Sequence, residues 1–129
     1  GNVGQATRRM APAANAAPPT GSPLSAKLLT VVQSTPVVIF QSPTCPFCKA
    51  AVSVLNEEGV EHIALTVSQE ERSALKELTG SRTVPSIWVG GKFIGGYSDG
   101  PEEWMGLIRL LDEGAFHDMV DEAIEAQED

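Results

Sequence analysis

Cysteine and histidine are scarce in this chain of 129 residues, and their scarcity limits the chemistry that it can perform. The sequence contains two cysteines, Cys45 and Cys48, and two histidines, His62 and His117. A structural zinc ion needs about four such ligands, and the histidines lack the paired spacing of a zinc motif. A disulfide that closes so short a loop adds little stability. The Cys-x-x-Cys spacing therefore predicts a redox pair rather than a zinc site or a structural disulfide.

Long apolar runs are also absent, and basic residues are missing from the C-terminal end. No apolar stretch approaches the roughly 18 residues that a membrane-spanning helix requires, so no membrane segment is expected. Residues 112–129 contain eight acidic residues and no lysine or arginine, whereas the charges of residues 1–111 cancel, so the formal net charge of −8 lies at the C-terminal end. A chain with this acidic balance is not expected to bind nucleic acid.

Residues 1–23 differ in composition from the rest of the chain. They are rich in alanine, proline, glycine and small polar residues, contain Arg8 and Arg9 and lack acidic residues. This composition predicts a flexible extension, and it also fits the remnant of an organelle-targeting segment. We therefore expect a mitochondrial or other organellar location, with the cytoplasm as the alternative. Residues 24–129 are predicted to form one domain with an acidic C-terminal helix.

The stretch Thr44-Cys45-Pro46-Phe47-Cys48-Lys49 predicts the start of a helix. Pro46 suits the first turn, because its φ is already helical and the N–H that it lacks would be unpaired there. First-turn N–H groups stabilise a thiolate, so Cys45 is expected to be the more reactive thiol of the pair. Cys45 is then the nucleophile. Cys48, one turn further along, is placed to attack a mixed disulfide formed at Cys45.

The apolar patterns predict an α/β fold in the order α-βα-βα-ββ-αα. The continuous apolar run 37–40 is typical of a strand that is buried on both faces. Gly90 and Gly91 separate two short strand patterns, as in a hairpin. Two strands joined through a helix run parallel, whereas the strands of a hairpin run antiparallel. The predicted sheet is therefore mixed.

Capping residues mark the predicted helix boundaries. Ser68 and Glu71 form the pattern of a capping box at the start of the third helix. A later helix is predicted to be capped by Ser98 or Asp99, with Pro101 in its first turn. Its apolar face consists of residues at helical spacing, namely Trp104, Leu107, Ile108 and Leu111.

Three motifs follow one another along the chain. They are Cys45-Pro46-Phe47-Cys48, then Thr79-Gly80-Ser81-Arg82-Thr83-Val84-Pro85, then Gly95-Gly96-Tyr97-Ser98-Asp99. In this order and spacing the chain resembles a dithiol glutaredoxin over about residues 24–125. The resemblance implies the thioredoxin fold, with a central four-stranded mixed sheet flanked by about five helices. It also implies a glutathione-dependent thiol–disulfide oxidoreductase that reduces glutathione mixed disulfides and protein disulfides through Cys45 and Cys48.

The resemblance also implies a glutathione site. In glutaredoxins the residue before a cis proline pairs through its backbone with the cysteinyl part of glutathione, and here that residue is Val84. The Gly-Gly-x-x-Asp motif holds the γ-glutamyl end, where a helix N-terminus would offer N–H groups to the α-carboxylate and Asp99 would pair with the α-ammonium. The residues implied to contact glutathione are Thr44, Phe47, Arg72, Arg82, Thr83, Val84, Pro85, Gly96, Ser98 and Asp99.

The chain departs from the family pattern around this site. Ser42 stands where members commonly have a lysine that pairs with the glycyl carboxylate of glutathione. Arg72 stands where many have glutamine, and Arg72 or Arg82 is a candidate for the missing cation. The absent lysine also leaves open a variant that uses polyamine-conjugated glutathione, which lacks a free glycyl carboxylate. Phe47 replaces the usual tyrosine, and Tyr97 stands where a cysteine or small residue is common.

Other functions for the same cysteines remain open at this stage. A dimer would bind a [2Fe–2S] cluster through Cys45 of each chain and two glutathione thiolates, although Pro46 is unfavourable to this in the family. A thioredoxin-like reductase that takes electrons from a flavoprotein usually carries Trp-Cys-Gly-Pro-Cys, which is absent here. The expected partners are glutathione or a related low-molecular-weight thiol and glutathionylated or disulfide-containing proteins. The chain is expected to be a monomer without a metal site of its own.

Overall fold

The computed structural model describes residues 22–128, and within them helices and strands follow one another in the predicted order. The elements are α1 (Pro23–Ser34), β1 (Val37–Gln41), α2 (Pro46–Glu57), β2 (Ile63–Thr66), α3 (Gln69–Thr79), β3 (Ser86–Val89), β4 (Lys92–Gly95), α4 (Leu107–Asp112) and α5 (Ala115–Glu128). Ser22 caps α1, which therefore begins just before the predicted domain start at residue 24. Most of the predicted extension, residues 1–21, lies outside the described range, so its flexibility and targeting role stay predictions.

The strands form one mixed sheet in the order β2-β1-β3-β4. β1 runs parallel to β2 and antiparallel to β3. β3 and β4 form the predicted hairpin, and its turn residues Gly90 and Gly91 have φ values of 60° and 81°. Glycine adopts such positive φ values without the steric cost that a Cβ atom brings. The mixed four-stranded sheet flanked by five helices is therefore confirmed for the described part of the chain.

Successive residues of β1 point to opposite faces of the sheet and so contribute to two separate cores. Val37 and Ile39 pack with buried residues of α2, α4 and α5 on one face. Val38 and Phe40 pack with buried residues of α1 and α3 on the other. All four side chains are almost completely buried, which explains why the strand lacks a polar face. The C-terminal end of this buried strand leads directly to the cysteines.

The start of α3 is held by the predicted capping box. The Ser68 hydroxyl accepts the Glu71 N–H at 3.1 Å, and the Glu71 carboxylate accepts the Ser68 N–H at 2.8 Å. The other end of α3 is tied to α1, because the buried Ser25 hydroxyl donates to the Glu77 carboxylate at 2.7 Å. These contacts fix the helix that carries Arg72. Among residues 22–128, no helix has the length and apolar character required to cross a membrane.

The prediction that a helix begins at Ser98 or Asp99 is wrong, because α4 begins at Leu107. Residues 96–106 instead form a loop that folds back onto the end of β4. The N–H groups of Gly106 and Leu107 donate to the carbonyls of Ile94 and Gly96, each at 2.9 Å. Gly106 also has φ 120°, which is not helical. Long-range backbone pairing therefore overrides the capping signals of the sequence.

Tight packing holds this loop in place. A Cβ atom at Gly106 would lie 2.7 Å from the carbonyl carbon of Ser98, so only glycine fits there. Trp104, predicted to lie on a helix face, packs from the loop against the core. The Lys92 ammonium lies 4.8 Å from the Trp104 ring centre, within the range of a cation–π interaction. The loop thus presents Tyr97, Ser98 and Asp99 from a constrained backbone.

Candidate active site

Cys45 occupies the N-cap position of α2, where an anion is stabilised by unpaired backbone N–H groups. Its sulfur accepts the N–H of Cys48 at 3.1 Å, and Pro46 takes the first helical position, as predicted. Cys45 is partly exposed, whereas Cys48 is 1% exposed. The geometry makes Cys45 the accessible thiol of the pair.

Cys48 lies on the inner face of α2 with Ala51 and Leu55, which follow it at three and seven positions. Burial raises the pKa of the Cys48 thiol from 9.0 to about 12, and a hydrogen bond with the Cys45 side chain contributes in the same direction. A backbone hydrogen bond from Ser42 and the positive charge of Arg72 oppose this rise without cancelling it. Cys48 therefore remains a protonated thiol at neutral pH.

Three separate segments meet at Cys45. Its thiol donates a weak hydrogen bond to the Val84 carbonyl oxygen, with sulfur and oxygen 3.7 Å apart. The Val84–Pro85 peptide bond is cis, as the family resemblance implied. Gly96 lies against this turn, because a Cβ atom there would be 3.2 Å from the Pro85 carbonyl oxygen. The structure thus places the motif of the cis proline and the Gly-Gly motif side by side, next to the thiol.

Arg72 and Arg82 are the candidates for the cation that the chain lacks at Ser42. The Arg72 Nε donates to the Arg82 carbonyl at 3.1 Å, which fixes the orientation of the Arg72 guanidinium. The Arg82 side chain turns to Gln69 and donates to its side-chain oxygen at 3.0 Å. Of the two arginines, Arg72 is the one whose positive charge opposes the raised pKa of the Cys48 thiol.

The residues assigned to the γ-glutamyl end lie in the loop after β4. Ser98 and Asp99 are exposed, and the Asp99 carbonyl accepts the Gly96 N–H at 2.7 Å. The helix N-terminus expected at this position is absent, since α4 begins later. Thr44 and Thr83 are exposed on the neighbouring segments, and the Thr83 hydroxyl pairs with Ser81 at 2.8 Å. An α-carboxylate would therefore meet loop backbone rather than a helix end.

An aromatic pair borders the cysteines, which the sequence alone did not predict as a contact. The rings of Phe47 and Tyr97 have centroids 6.0 Å apart and are tilted by 38°. Phe47 is 61% exposed, and Tyr97 is half-buried against the core. The two residues are distant in sequence, and the only signal was their departure from the family pattern.

Both histidines lie away from the thiols. They line a cavity of about 890 Å³ at the opposite end of β1, together with Pro36, with Glu58 and Glu61 of the segment after α2, and with Asp121 of α5. Among residues 22–128, no cluster of three or more histidine, cysteine or acidic side chains is placed to bind a metal ion.

The cysteines of one chain cannot by themselves supply the four thiolates of a [2Fe–2S] cluster, for which a dimer with two glutathione molecules is the expected arrangement. Cys45 is the partly exposed thiol, whereas Cys48 is buried and protonated. Three of the four ligands would therefore have to come from outside the chain. No observation in the described part of the chain favours this chemistry over disulfide exchange.

Comparison with known proteins agrees with this arrangement. A sequence model of the family described as Glutaredoxin matches residues 37–94. The chain is 36% identical over 94 residues to a glutaredoxin of Vernicia fordii, an alignment that covers 67% of this chain and 90% of the relative. A wheat glutaredoxin structure aligns with a TM-score of 0.68 at 34% identity, over 78% of this chain and 92% of the wheat chain. A buckwheat glutaredoxin solved as a glutathione complex aligns with a TM-score of 0.68 at 25% identity, over 78% and 89% of the two chains. The chain therefore belongs to the glutaredoxin family of thiol–disulfide oxidoreductases with a thioredoxin fold.

Proposed function

We propose that this glutaredoxin reduces glutathione mixed disulfides and protein disulfides, with Cys45 as the nucleophile and glutathione as the reductant. The observation that carries the proposal is the position of Cys45 at the N-terminus of α2, partly exposed and with a backbone N–H directed at its sulfur at 3.1 Å. A thiolate at this position is stabilised by the first helical turn and accessible to a disulfide.

Reduction of a glutathione mixed disulfide takes place in two exchange steps. The Cys45 thiolate attacks the glutathione sulfur, the disulfide bond of the substrate breaks, and the substrate leaves as a thiolate that takes up a proton. Attack on the other sulfur would leave the substrate, rather than glutathione, on Cys45. A second glutathione thiolate then attacks the glutathione sulfur of the adduct, which releases the Cys45 thiolate and glutathione disulfide.

Reduction of a protein disulfide uses Cys48 as well. Cys45 attacks one sulfur of the substrate, and Cys48 then attacks the Cys45 sulfur, which releases the reduced substrate and leaves a Cys45–Cys48 disulfide. Two glutathione molecules reduce that disulfide. Cys48 must lose its proton before it can attack. The hydrogen bond and the charge of Cys45 help to raise the pKa of Cys48, and both contributions end when Cys45 is part of a mixed disulfide. Burial still opposes ionisation, so only a small fraction of Cys48 is ionised for this step at neutral pH.

The segments around Cys45 supply complementary contacts for glutathione. Val84 offers its backbone beside the sulfur, Gly96 allows close approach, and Asp99 offers a carboxylate to the α-ammonium. The glutathione bound by the buckwheat relative supports this assignment by similarity.

The physiological thiol is best assigned as unmodified glutathione. Arg72 is a cation that donates to the Arg82 carbonyl and whose charge acts on the Cys48 thiol. A guanidinium pairs well with a carboxylate, so it favours a free glycyl carboxylate over a cationic polyamine conjugate. Faster turnover with the spermidine conjugate than with glutathione would contradict this assignment.

Trapping the glutathione adduct tests the proposed nucleophile. The Cys48→Ser variant is incubated with glutathione disulfide and analysed by intact mass and peptide mapping, with Cys45→Ser as the matched control. We expect one glutathione on Cys45 of the first variant, removed by excess glutathione, and none on the second. An adduct on Cys48 in the Cys45→Ser variant, or no adduct on Cys45, would overturn the assignment.

A further inference from the structure

We propose that Pro18 and Pro19, near the end of the N-terminal segment, dock into a groove lined by both tryptophans of the chain and thereby brace the loop after β4. The groove lies between α1, α3 and that loop, and its tryptophans are Trp88 and Trp104. We call it the tryptophan groove. The inference goes beyond the proposed function, because it concerns the binding of one part of the chain to another rather than the reaction at Cys45.

The lining of the tryptophan groove is mainly aromatic and aliphatic. The groove has a volume of about 380 Å³, and its apolar lining includes Leu29, Leu78, Trp88, Phe93, Pro101 and Trp104. The Trp88 and Phe93 rings have centroids 5.5 Å apart and are tilted by 48°. Lys92, a charged member of the lining, has its ammonium over the Trp104 ring. Grooves lined by aromatic rings are surfaces on which proteins bind proline-rich segments.

The N-terminal segment joins the described part of the chain beside this groove. Ser22, the N-cap residue of α1, donates from its hydroxyl to the Glu77 carboxylate at 3.1 Å. Glu77 directly precedes Leu78 and Thr79, which both line the groove. Pro19 lies three residues before Ser22, a separation that spans about 9 Å in an extended polyproline chain. The two prolines are therefore tethered within reach of the groove.

Consecutive prolines are suited to an aromatic groove for two physical reasons. Their rings favour the extended polyproline conformation, so little conformational freedom is lost when they bind. A tether of a few residues also keeps their effective concentration near the groove in the millimolar range, so weak contacts suffice. Pro12, the other proline of residues 1–21, lies ten residues before Ser22 and stands alone among alanines. The pair Pro18-Pro19 is therefore the part of the segment that fits the groove.

Occupation of the tryptophan groove connects the loop after β4 to two helices. The loop contributes Pro101 and Trp104 to the lining, whereas α1 and α3 contribute Leu29 and Leu78. A segment that fills the groove contacts both groups at once. Its binding therefore restrains the loop relative to the helices, in addition to the backbone bonds that join the loop to β4.

Nuclear magnetic resonance of the full chain tests the docking through the two tryptophan side chains. The Trp104 indole N–H donates to Glu102, another residue of the groove, at 3.2 Å. We expect it to exchange with solvent about tenfold more slowly in the parent than in the double variant Pro18→Ser/Pro19→Ser, because the docked prolines cover it. The Trp88 indole N–H donates to the buried Ser86 hydroxyl at 3.0 Å and should exchange equally in both proteins, as an internal reference.

A direct contact and a matched control complete this experiment. In the parent we expect nuclear Overhauser contacts between proline ring protons and the Trp104 ring, and we expect their loss in the double variant. Pro12→Ser makes the same type of substitution further from Ser22 and should behave like the parent.

The alternative outcomes contradict the docking in distinct ways. Absence of the proline contacts in the parent, or equal exchange of the Trp104 indole N–H in the parent and the double variant, would overturn it. An equal effect of Pro12→Ser would also overturn it, since the position of the prolines would then not matter. Contacts between differently labelled chains in a mixed sample would show that a second copy occupies the groove. None of these measurements depends on turnover, so failure of the docking leaves the proposed function intact.

Discussion

The raised pKa of Cys48 predicts how the stability of the reduced protein changes at alkaline pH. Between pH 9 and 12 the thiol is ionised in the unfolded chain and protonated in the folded protein, because burial raises its pKa from 9.0 to about 12. The unfolded state then binds fewer protons, so the free energy of unfolding falls as pH rises. The stabilising contribution is complete below pH 9 and is lost as pH approaches 12. One such group lowers stability by about 1.4 kcal/mol per pH unit in this interval.

Urea unfolding of the parent and of Cys48→Ala, both kept reduced, measures this contribution. Other groups titrate in the same range, so the informative quantity is the difference in slope between the two proteins. We expect the parent to lose about 1 kcal/mol more than the variant from pH 9 to pH 10, because the thiol of the unfolded chain is only half ionised at pH 9. Ser53→Ala, on the exposed face of the same helix, should follow the parent. Parallel curves for parent and Cys48→Ala would refute the assignment of a buried, protonated Cys48.

Further substitutions test the glutathione site and the loop that carries part of it. Arg72→Ala should raise KM for glutathione about tenfold, because the proposed charge-assisted contact with the glycyl carboxylate would be lost. Gly106→Ala should lower the free energy of unfolding by about 3 kcal/mol, since its Cβ atom would clash with Ser98 at a positive φ. Ser68→Ala should lower it by about 1 kcal/mol through loss of the N-cap, without changing turnover.

Each of these substitutions has a matched comparison. Lys76→Ala removes a different cation of α3 and should leave KM for glutathione within about twofold. Equal increases in KM for Arg72→Ala and Lys76→Ala would contradict a specific role of Arg72. Gly114→Ala meets no atom within 4 Å and should cost only about 1 kcal/mol of left-handed strain. A similar loss of stability in Gly106→Ala would show that the loop rearranges to accept the added Cβ atom, contrary to the prediction. Altered turnover in Ser68→Ala would link the α3 cap to the site.

The sheet and most helix boundaries could be predicted from the sequence because local patterns determine them. The apolar run 37–40 requires burial on both faces, and the structure provides it. Gly90 and Gly91 suit a turn with positive φ, and Ser68 with Glu71 closes a capping box within one helical turn. Each of these signals acts between residues that are close in sequence.

The start of α4 could not be predicted because contacts distant in sequence decide it. Ser98, Asp99 and Pro101 are favourable residues for a helix start. The backbone of Gly106, however, pairs with Ile94 of β4 and ends the loop there. Local preference is weaker than this tertiary pairing, so the sequence pattern alone placed the helix too early.

The cysteine pair could be predicted from its spacing, and the burial of Cys48 follows from the apolar residues one and two turns after it. The contact between Phe47 and Tyr97 could not be predicted, because it depends on the packing of α2 beside the loop after β4. The bond from Arg72 to the Arg82 carbonyl depends in the same way on how α3 meets the following turn.

The most direct test of the central claim compares Cys45→Ser and Cys48→Ser in the reduction of a small glutathione mixed disulfide, coupled to glutathione reductase. In the proposed two-step exchange, Cys45 is the one cysteine of the chain that is required. We therefore expect Cys48→Ser to remain active and Cys45→Ser to be inactive. Activity in Cys45→Ser, or its loss in a folded Cys48→Ser, would contradict Cys45 as the glutathione-accepting nucleophile.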